Sequence, residues 1–195
     1  APRTAWRAKI EPPNGIKANM RQRRYADRIL ADSERCLGSY CFLWGQKQES
    51  TATWHGMFTA DGHPTEAVDV MQQCWTGSWP AKRAPSILDI QLNGMGWRKD
   101  HVMHSGEEGI LHVDIESPPD DALTLEYRLY RESQSRAIGG DVQEEPEELS
   151  IEVTVVDDAT VRFRAPQEEG AYRIFAFLRN ERNQYSVANV PFLIH

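Results

Sequence analysis

The stretch GAYRIFAFLRN at residues 170–180, together with NVPFLIH at residues 189–195, decides the fold of the C-terminal half. Both stretches are short, rich in aromatic and β-branched residues and bounded by turn-forming residues, which is typical of β-strands. Five earlier segments alternate apolar and polar residues in the same way: SILDIQLNG (86–94), GILHVDIES (109–117), LTLEYRLYRES (123–133), LSIEVTVVDD (149–158) and TVRFRAP (160–166). Seven short strand candidates with turn signals between them predict an immunoglobulin-like antiparallel β-sandwich.

The sequence before residue 83 has a different pattern. Residues 16–33, IKANMRQRRYADRILADS, place apolar side chains along one stripe and predict a helix. Residues 65–77, TEAVDVMQQCWTG, predict a second helix with Thr65 as the N-cap and Gly77 as the stop. Between the two helices the chain is apolar from Leu37 to Trp44, which predicts a parallel strand buried on both faces.

This order of helix, strand, long loop and helix is one unit of a βα architecture. A closed (β/α)₈ barrel takes about 250 residues, so the N-terminal part cannot form a complete barrel. It is either the end of a barrel or a small α/β layer packed on the sandwich. We therefore expect an α+β protein with a barrel-end domain at residues 1–82 and the sandwich at residues 83–195.

The distribution of charge supports two modules and excludes two classes of partner. The net charge is −7 over the whole chain. Counted along the sequence, residues 1–83 carry 12 Lys and Arg against 8 Asp and Glu, whereas residues 84–195 carry 10 against 21. An acidic C-terminal half repels phosphate groups, so nucleic acid and membrane surfaces are not expected partners.

The sequence contains no segment that resembles a transmembrane helix or a signal peptide. No stretch approaches the ~20 apolar residues that span a bilayer. The first residues, APRTAWRAKIEPP, have no apolar core like that of a signal peptide, so any export signal has been removed or lies upstream.

A long motif carries a family resemblance. Residues 36–80, CLGSYCFLWGQKQESTATWHGMFTADGHPTEAVDVMQQCWTGSWP, resemble the end of the catalytic barrel in bacterial glycoside hydrolase family 2 TIM-barrel-containing proteins. The upstream AWRAKIEPP resembles the stretch after the seventh barrel strand, and the ending GAYRIFAFLRN…ANVPFLIH resembles the C-terminal domain of that group.

The resemblance implies the C-terminal portion of a carbohydrate-active enzyme. Such an enzyme hydrolyses or transfers O-glycosidic bonds, here β-linked ones, by a retaining mechanism with two carboxylates about 5 Å apart. In this family the two carboxylates follow the fourth and seventh barrel strands, so they lie outside this chain. The resemblance therefore implies no catalytic residue and no cofactor here, no activity for the chain alone, and an extracytoplasmic location.

Four residues at and after the end of the predicted strand are candidates for sugar contact. Trp44 lies at the barrel rim, where an indole stacks on the apolar face of a sugar ring, although a core tryptophan closing the strand is the alternative. Gln46, Lys47 and Glu49 follow in the rim loop and offer donors and acceptors to sugar hydroxyls, although an ordinary solvated loop explains them almost as well. Glu49 alone cannot perform a two-carboxylate mechanism.

Two further candidates lie in the same loop. Trp54 and His55 occupy the position of a cover over the cleft, and packing against the following helix is the alternative use. No metal is expected, because His101 and His104 have no third ligand nearby in the sequence.

The expected partner is therefore an oligosaccharide or polysaccharide. Two alternatives remain open from the residues alone: a non-catalytic carbohydrate-binding module, and a purely structural β-sandwich. Self-association is also expected, because an incomplete barrel leaves the apolar run Leu37–Trp44 uncovered. Cys36, Cys41 and Cys74 show no metal-ligand spacing and are expected to be small buried side chains.

Overall fold

The computed structural model describes residues 2–32, 34–118, 121–135 and 141–195, and its largest feature is a pair of five-stranded sheets. The first sheet has the strand order β2-β1-β4-β8-β7 and is antiparallel throughout. Its strands are β1 (Ser86–Leu92), β2 (Met95–Gly96), β4 (Glu108–Glu116), β7 (Val153–Asp157) and β8 (Thr160–Arg164).

The second sheet has the order β3-β10-β9-β5-β6. Its strands are β3 (His101–Met103), β5 (Leu123–Arg131), β6 (Glu148–Leu149), β9 (Gly170–Asn180) and β10 (Tyr185–Ile194). The pairing of β10 with β3 is parallel and the other pairings are antiparallel. The β9–β10 ladder is the longest and sets Phe175 opposite Asn189.

The core lies between the two sheets and is built from alternate residues of each strand. On β4, Leu111 and Val113 face inward, and on β9, Tyr172 and Ile174 do so. Because side chains alternate across a strand, this period of two is the physical signal that the sequence carried. The β-sandwich part of the expected fold is confirmed.

Two details of the sandwich differ from expectation. The segment LSIEVTVVDD is divided between β6 and β7, which belong to different sheets. All five residues of β7 are exposed, so Val153 and Val155 face solvent although the apolar character of the segment favours burial. β7 is the edge strand of the first sheet and pairs with β8.

The expected barrel end is absent, and the α+β prediction of a helix–strand–helix barrel piece is wrong. Leu37–Trp44 forms turns and irregular chain, and no described residue pairs with it in a sheet. Leu37 and Tyr40 are fully exposed, while Phe42 and Trp44 are more than half exposed. An apolar run becomes a buried strand only where neighbouring strands satisfy its backbone groups and cover its faces, and the run itself cannot specify those neighbours.

Both predicted helices are present. The first, α1 (Asn14–Arg28), begins two residues before the expected start and is followed by a 3₁₀ turn at Leu30–Asp32. The last residue of that prediction, Ser33, lies outside the described residues. The second, α2 (Glu66–Thr76), has the caps expected of it.

The caps of α2 have the predicted geometry. The Thr65 hydroxyl accepts a hydrogen bond from the Ala67 amide at 3.3 Å. Gly77 has φ of 76°, and its amide donates to the Gln73 carbonyl at 2.9 Å. A left-handed residue at this position favours glycine, which has no Cβ to clash. None of the helices among the described residues is long and apolar enough to cross a membrane.

The N-terminal residues cover the outer face of the second sheet through a buried polar network. The Glu11 carboxylate, 2% exposed, accepts bonds from Lys17 Nζ at 2.6 Å and from the hydroxyls of Thr51 and Thr53 at 2.6 and 2.9 Å. It also accepts a bond from Asn189 Nδ2 of β10 at 2.9 Å. Burial alone would raise the pKa of Glu11, but Lys17 and these bonds outweigh it and lower the pKa.

Arg173 of β9 is the second half of this network. Its guanidinium donates to both carboxylate oxygens of Glu132 at 2.8 Å, to the Lys9 carbonyl at 2.7 Å and to the Asn189 side chain. These bonds connect the N-terminal chain to the sheet. The helices also have a small apolar cluster of their own, formed by Ala18, Met57, Ala67, Val70, Met71 and Cys74.

Candidate functional site

Two tryptophans lie side by side on the surface, and we call Trp44 and Trp75 the indole pair. Their ring centroids are 5.8 Å apart with the planes tilted by 32°. Trp44 is 56% exposed and Trp75 is 50% exposed. Phe58 meets Trp44 edge-on at 5.3 Å, and the Trp75 Nε1–H donates to the Tyr25 hydroxyl at 2.9 Å. Both rings are therefore held in place from beneath.

An open depression of about 370 Å³ lies beside Trp44. Gln46, Phe58 and the turn at residues 59–62 form its walls. Gln46 Nε2 donates to the Ala52 carbonyl at 3.0 Å, which orients the amide within the loop. The structure thus brings together Trp44 and Gln46, two of the six residues predicted from sequence.

Lys47, Glu49 and His55 form a separate ionic cluster. Glu49 Oε2 lies 3.3 Å from His55 Nε2 and 3.4 Å from Lys47 Nζ, and Oε1 lies 3.8 Å from Lys9 Nζ. The hydrogen bond with His55 lowers the pKa of Glu49 more than any other interaction. Lys9 Nζ lies 3.6 Å above the Trp54 ring, and burial lowers the pKa of this lysine.

Trp54 and His55 face a different cavity, of about 520 Å³, between α1 and the segment 39–42. His55 packs edge-on against Phe42 at 4.9 Å between centroids. Neither residue lines the depression beside Trp44. The six predicted residues are therefore distributed over two surfaces and an ionic cluster, and their contact with sugar stays a prediction.

Trp75 was not among the residues selected from the sequence. It lies in the last turn of α2, outside the buried cluster of Ala67, Val70, Met71 and Cys74. The cysteine prediction holds for Cys74, which is buried, whereas Cys36 and Cys41 are half-buried. The described residues contain no group of three or more His, Cys, Asp or Glu that could hold a metal ion.

No protein-family model and no curated protein matches the sequence. Among solved structures, the chain is similar to PcoC, a methionine-rich copper resistance protein from Escherichia coli, at 16% identity over 49% of this chain and 88% of that one, with a TM-score of 0.33. It is similar to the PmoD soluble domain from Methylocystis sp. ATCC 49242 (Rockwell), at 17% identity over 60% and 95%, with a TM-score of 0.34. It is also similar to murine CRIg, at 6% identity over 57% and 96%, with a TM-score of 0.31.

The expectation of a glycoside hydrolase portion is wrong. The resemblance depended on residues 36–80 forming the end of a catalytic barrel, and the structure contains no such strand. No family model matches the sequence either. The two-sheet structure agrees better with a non-catalytic β-sandwich module, the alternative that the sequence left open.

Proposed function

We propose that the chain is a non-catalytic β-sandwich module that binds oligosaccharide or polysaccharide at the indole pair. The observation that carries the proposal is the exposure of two adjacent indoles, each at least half open to solvent, with an amide side chain beside them. Exposed apolar groups that are grouped together mark binding surfaces more often than single exposed side chains do.

The chemistry of an indole suits a sugar ring. The apolar C–H face of a pyranose packs against the aromatic plane, and the indole N–H and neighbouring amides bond to hydroxyl groups. Trp44 and Trp75 supply the planes, and Gln46 supplies an amide in the depression beside Trp44. With centroids 5.8 Å apart, the two rings form one aromatic cluster rather than two separate ones.

Charge favours a neutral polymer over an anionic one. With a net charge of −7, the chain repels nucleic acid and anionic lipid at long range. A neutral glycan carries no charge and is not repelled. Because such polymers are abundant outside the cytoplasm, we also propose an extracytoplasmic location.

The test is retention on insoluble glucans and mannans. Trp44→Ala and Trp75→Ala should each weaken binding about tenfold, since one stacked aromatic contributes roughly 0.5–1.5 kcal/mol beyond its buried area. Trp79→Ala is the matched control, because Trp79 is an exposed indole under the Arg83 guanidinium and lines no part of the depression. Circular dichroism of each variant checks that the fold is intact.

Two outcomes would reject the proposal. If the wild-type chain is not retained on any of these polymers, the structural role is the better explanation. If it is retained and both indole variants bind equally well, the sugar site lies elsewhere on the molecule.

A further inference from the structure

A second and more enclosed site lies between the N-terminal layer and the second sheet. This interlayer cleft, of about 290 Å³, separates the segment 48–61 from the outer face of β5, β9 and β10. It shares only residues 59 and 60 with the depression beside Trp44, and neither Trp44, Trp75 nor Gln46 lines it. Its lining includes the side chains of Gln48, Arg128, Tyr130, Arg131, Arg173 and Phe177.

Gln48 is the feature of this cleft that points to a ligand. Its side chain is 9% exposed, and neither Nε2 nor Oε1 has a hydrogen-bond partner in the part of the chain that the structure describes. Buried amides are almost always bonded, because an unpaired donor or acceptor loses its water without compensation. Gln48 lines the cleft, and a molecule seated there that carries both a donor and an acceptor would satisfy its amide.

The charges of the cleft indicate that this molecule is neutral. Among the described lining residues, three arginines are balanced by the carboxylates of Asp61, Glu145 and Glu148. The arginines are also occupied. Arg173 bonds to Glu132 at 2.8 Å, and Arg131 bonds to Glu147 at 3.0 Å and also to Glu168. An anion would have to displace a carboxylate from its partner.

The remaining walls combine aromatic and hydroxyl groups. Phe177 lies parallel to Phe175 at 5.8 Å between centroids, and the Arg128 guanidinium lies 4.9 Å from the Phe177 ring. The Tyr130 hydroxyl donates to Glu148 at 2.8 Å and also bonds to the Arg128 side chain. Apolar ring surfaces beside hydroxyl, amide and carboxylate groups are the environment that a sugar ring requires.

We propose that the interlayer cleft binds a small neutral sugar of one or two rings, with the Gln48 amide bonded to adjacent hydroxyls. The size agrees, because the volume is at the lower end of the roughly 300–1,000 Å³ found for small-molecule sites. This site is separate from the indole pair and does not depend on it.

The experiment is calorimetric titration of the full chain with cellobiose, mannobiose and xylobiose, and with inorganic phosphate as an anionic probe. At least one disaccharide should bind saturably, and Gln48→Leu should weaken its binding about tenfold, as expected for lost hydrogen bonds in a buried site. Gln91→Leu is the matched control, because the Gln91 amide donates to Asp89 on the first sheet, away from the cleft. Thermal unfolding should show Gln48→Leu at least as stable as wild type, since no bond within the described chain is lost.

The outcomes separate this proposal from the preceding one. Absence of binding by all three disaccharides overturns it, as does equal binding by Gln48→Leu. Disaccharide binding that is lost in Trp44→Ala but kept in Gln48→Leu assigns the sugar to the indole pair and rejects the cleft. Saturable phosphate binding with no disaccharide binding would make the cleft an anion site, which also rejects the proposal.

Discussion

The sandwich and the N-terminal layer are stabilised by different kinds of interaction. Between the sheets, the core is apolar, and almost every strand residue has a backbone partner in a neighbouring strand. The N-terminal layer has a small apolar cluster of its own and places Ile10 in the sandwich core, and a buried polar network of Glu11, Arg173 and their partners attaches it to the second sheet. Apolar burial tolerates small shifts in position, whereas a buried charge network is stable only when every partner is present. The attachment of the layer should therefore be sensitive to single substitutions.

The largest effect should come from Arg173→Ala. Removing the guanidinium leaves Glu132, Asn189 and the Lys9 carbonyl without their buried donor. Breaking a buried ion pair from one side typically costs about 3 to 5 kcal/mol. Urea unfolding should show a loss of this size, together with easier proteolysis of the N-terminal layer.

A surface arginine provides the comparison. Arg162 lies 3.9 Å from Glu108, and both side chains are more than half exposed. Arg162→Ala should therefore change the free energy of unfolding by less than about 1 kcal/mol. Similar losses for both variants would contradict the view that the buried network holds the layer.

A smaller effect, dependent on pH, should come from Glu66 at the start of α2. Burial raises the pKa of Glu66 from 4.5 to about 8, although the Ser186 hydroxyl, 2.6 Å away, opposes the shift. The folded chain binds this proton more tightly than the unfolded chain does. The protonated carboxyl therefore makes its full contribution to the free energy of unfolding below pH 4.5, and this contribution is lost as the pH rises towards 8. Glu66→Gln should remove a slope of at most about 1.4 kcal/mol per pH unit in that range.

The measurement is the free energy of unfolding from pH 5 to pH 8 for wild type, Glu66→Gln and the exposed control Glu152→Gln. The wild-type chain and the control should lose stability together, and the Glu66 variant should become relatively more stable at the alkaline end. Parallel profiles for all three proteins would mean that Glu66 is ionised in the folded state.

The smallest effect concerns association rather than stability. The segment Leu37–Trp44 exposes four large apolar side chains, and exposed patches of this kind promote contact between molecules. Sedimentation at micromolar concentration should show reversible self-association of the wild-type chain. The double variant Leu37→Ser, Tyr40→Ser should be monomeric under the same conditions. A wild-type monomer that binds no hydrophobic dye would show that these side chains are not an association surface.

Local signals predicted a large part of the fold. Thr65 and Gly77 were identified as the caps of α2 because each acts through its own backbone neighbourhood. The alternation in GILHVDIES identified β4, since one face of an antiparallel strand must be apolar. The proposed division near residue 83 stays a prediction.

Of the candidate site, sequence reasoning selected Trp44 and Gln46 but could not place them. Trp75 becomes a neighbour of Trp44 only after α2 packs against the loop, a contact between positions 31 residues apart. The sequence also does not show that the Gln48 amide has no hydrogen-bond partner among the described residues, because this depends on which groups the fold brings near it.

By itself, the sequence determined the two helices, the caps of α2 and the two-layer sandwich, because these follow from contacts between residues close along the chain or from a simple period. The tertiary structure alone decided that Leu37–Trp44 forms no strand, that Glu11 meets Asn189 of β10 and that Arg173 reaches the Lys9 carbonyl. These outcomes depend on the neighbours available in space. A pattern of residue types states what each side chain needs, whereas only the packed chain decides which partner supplies it.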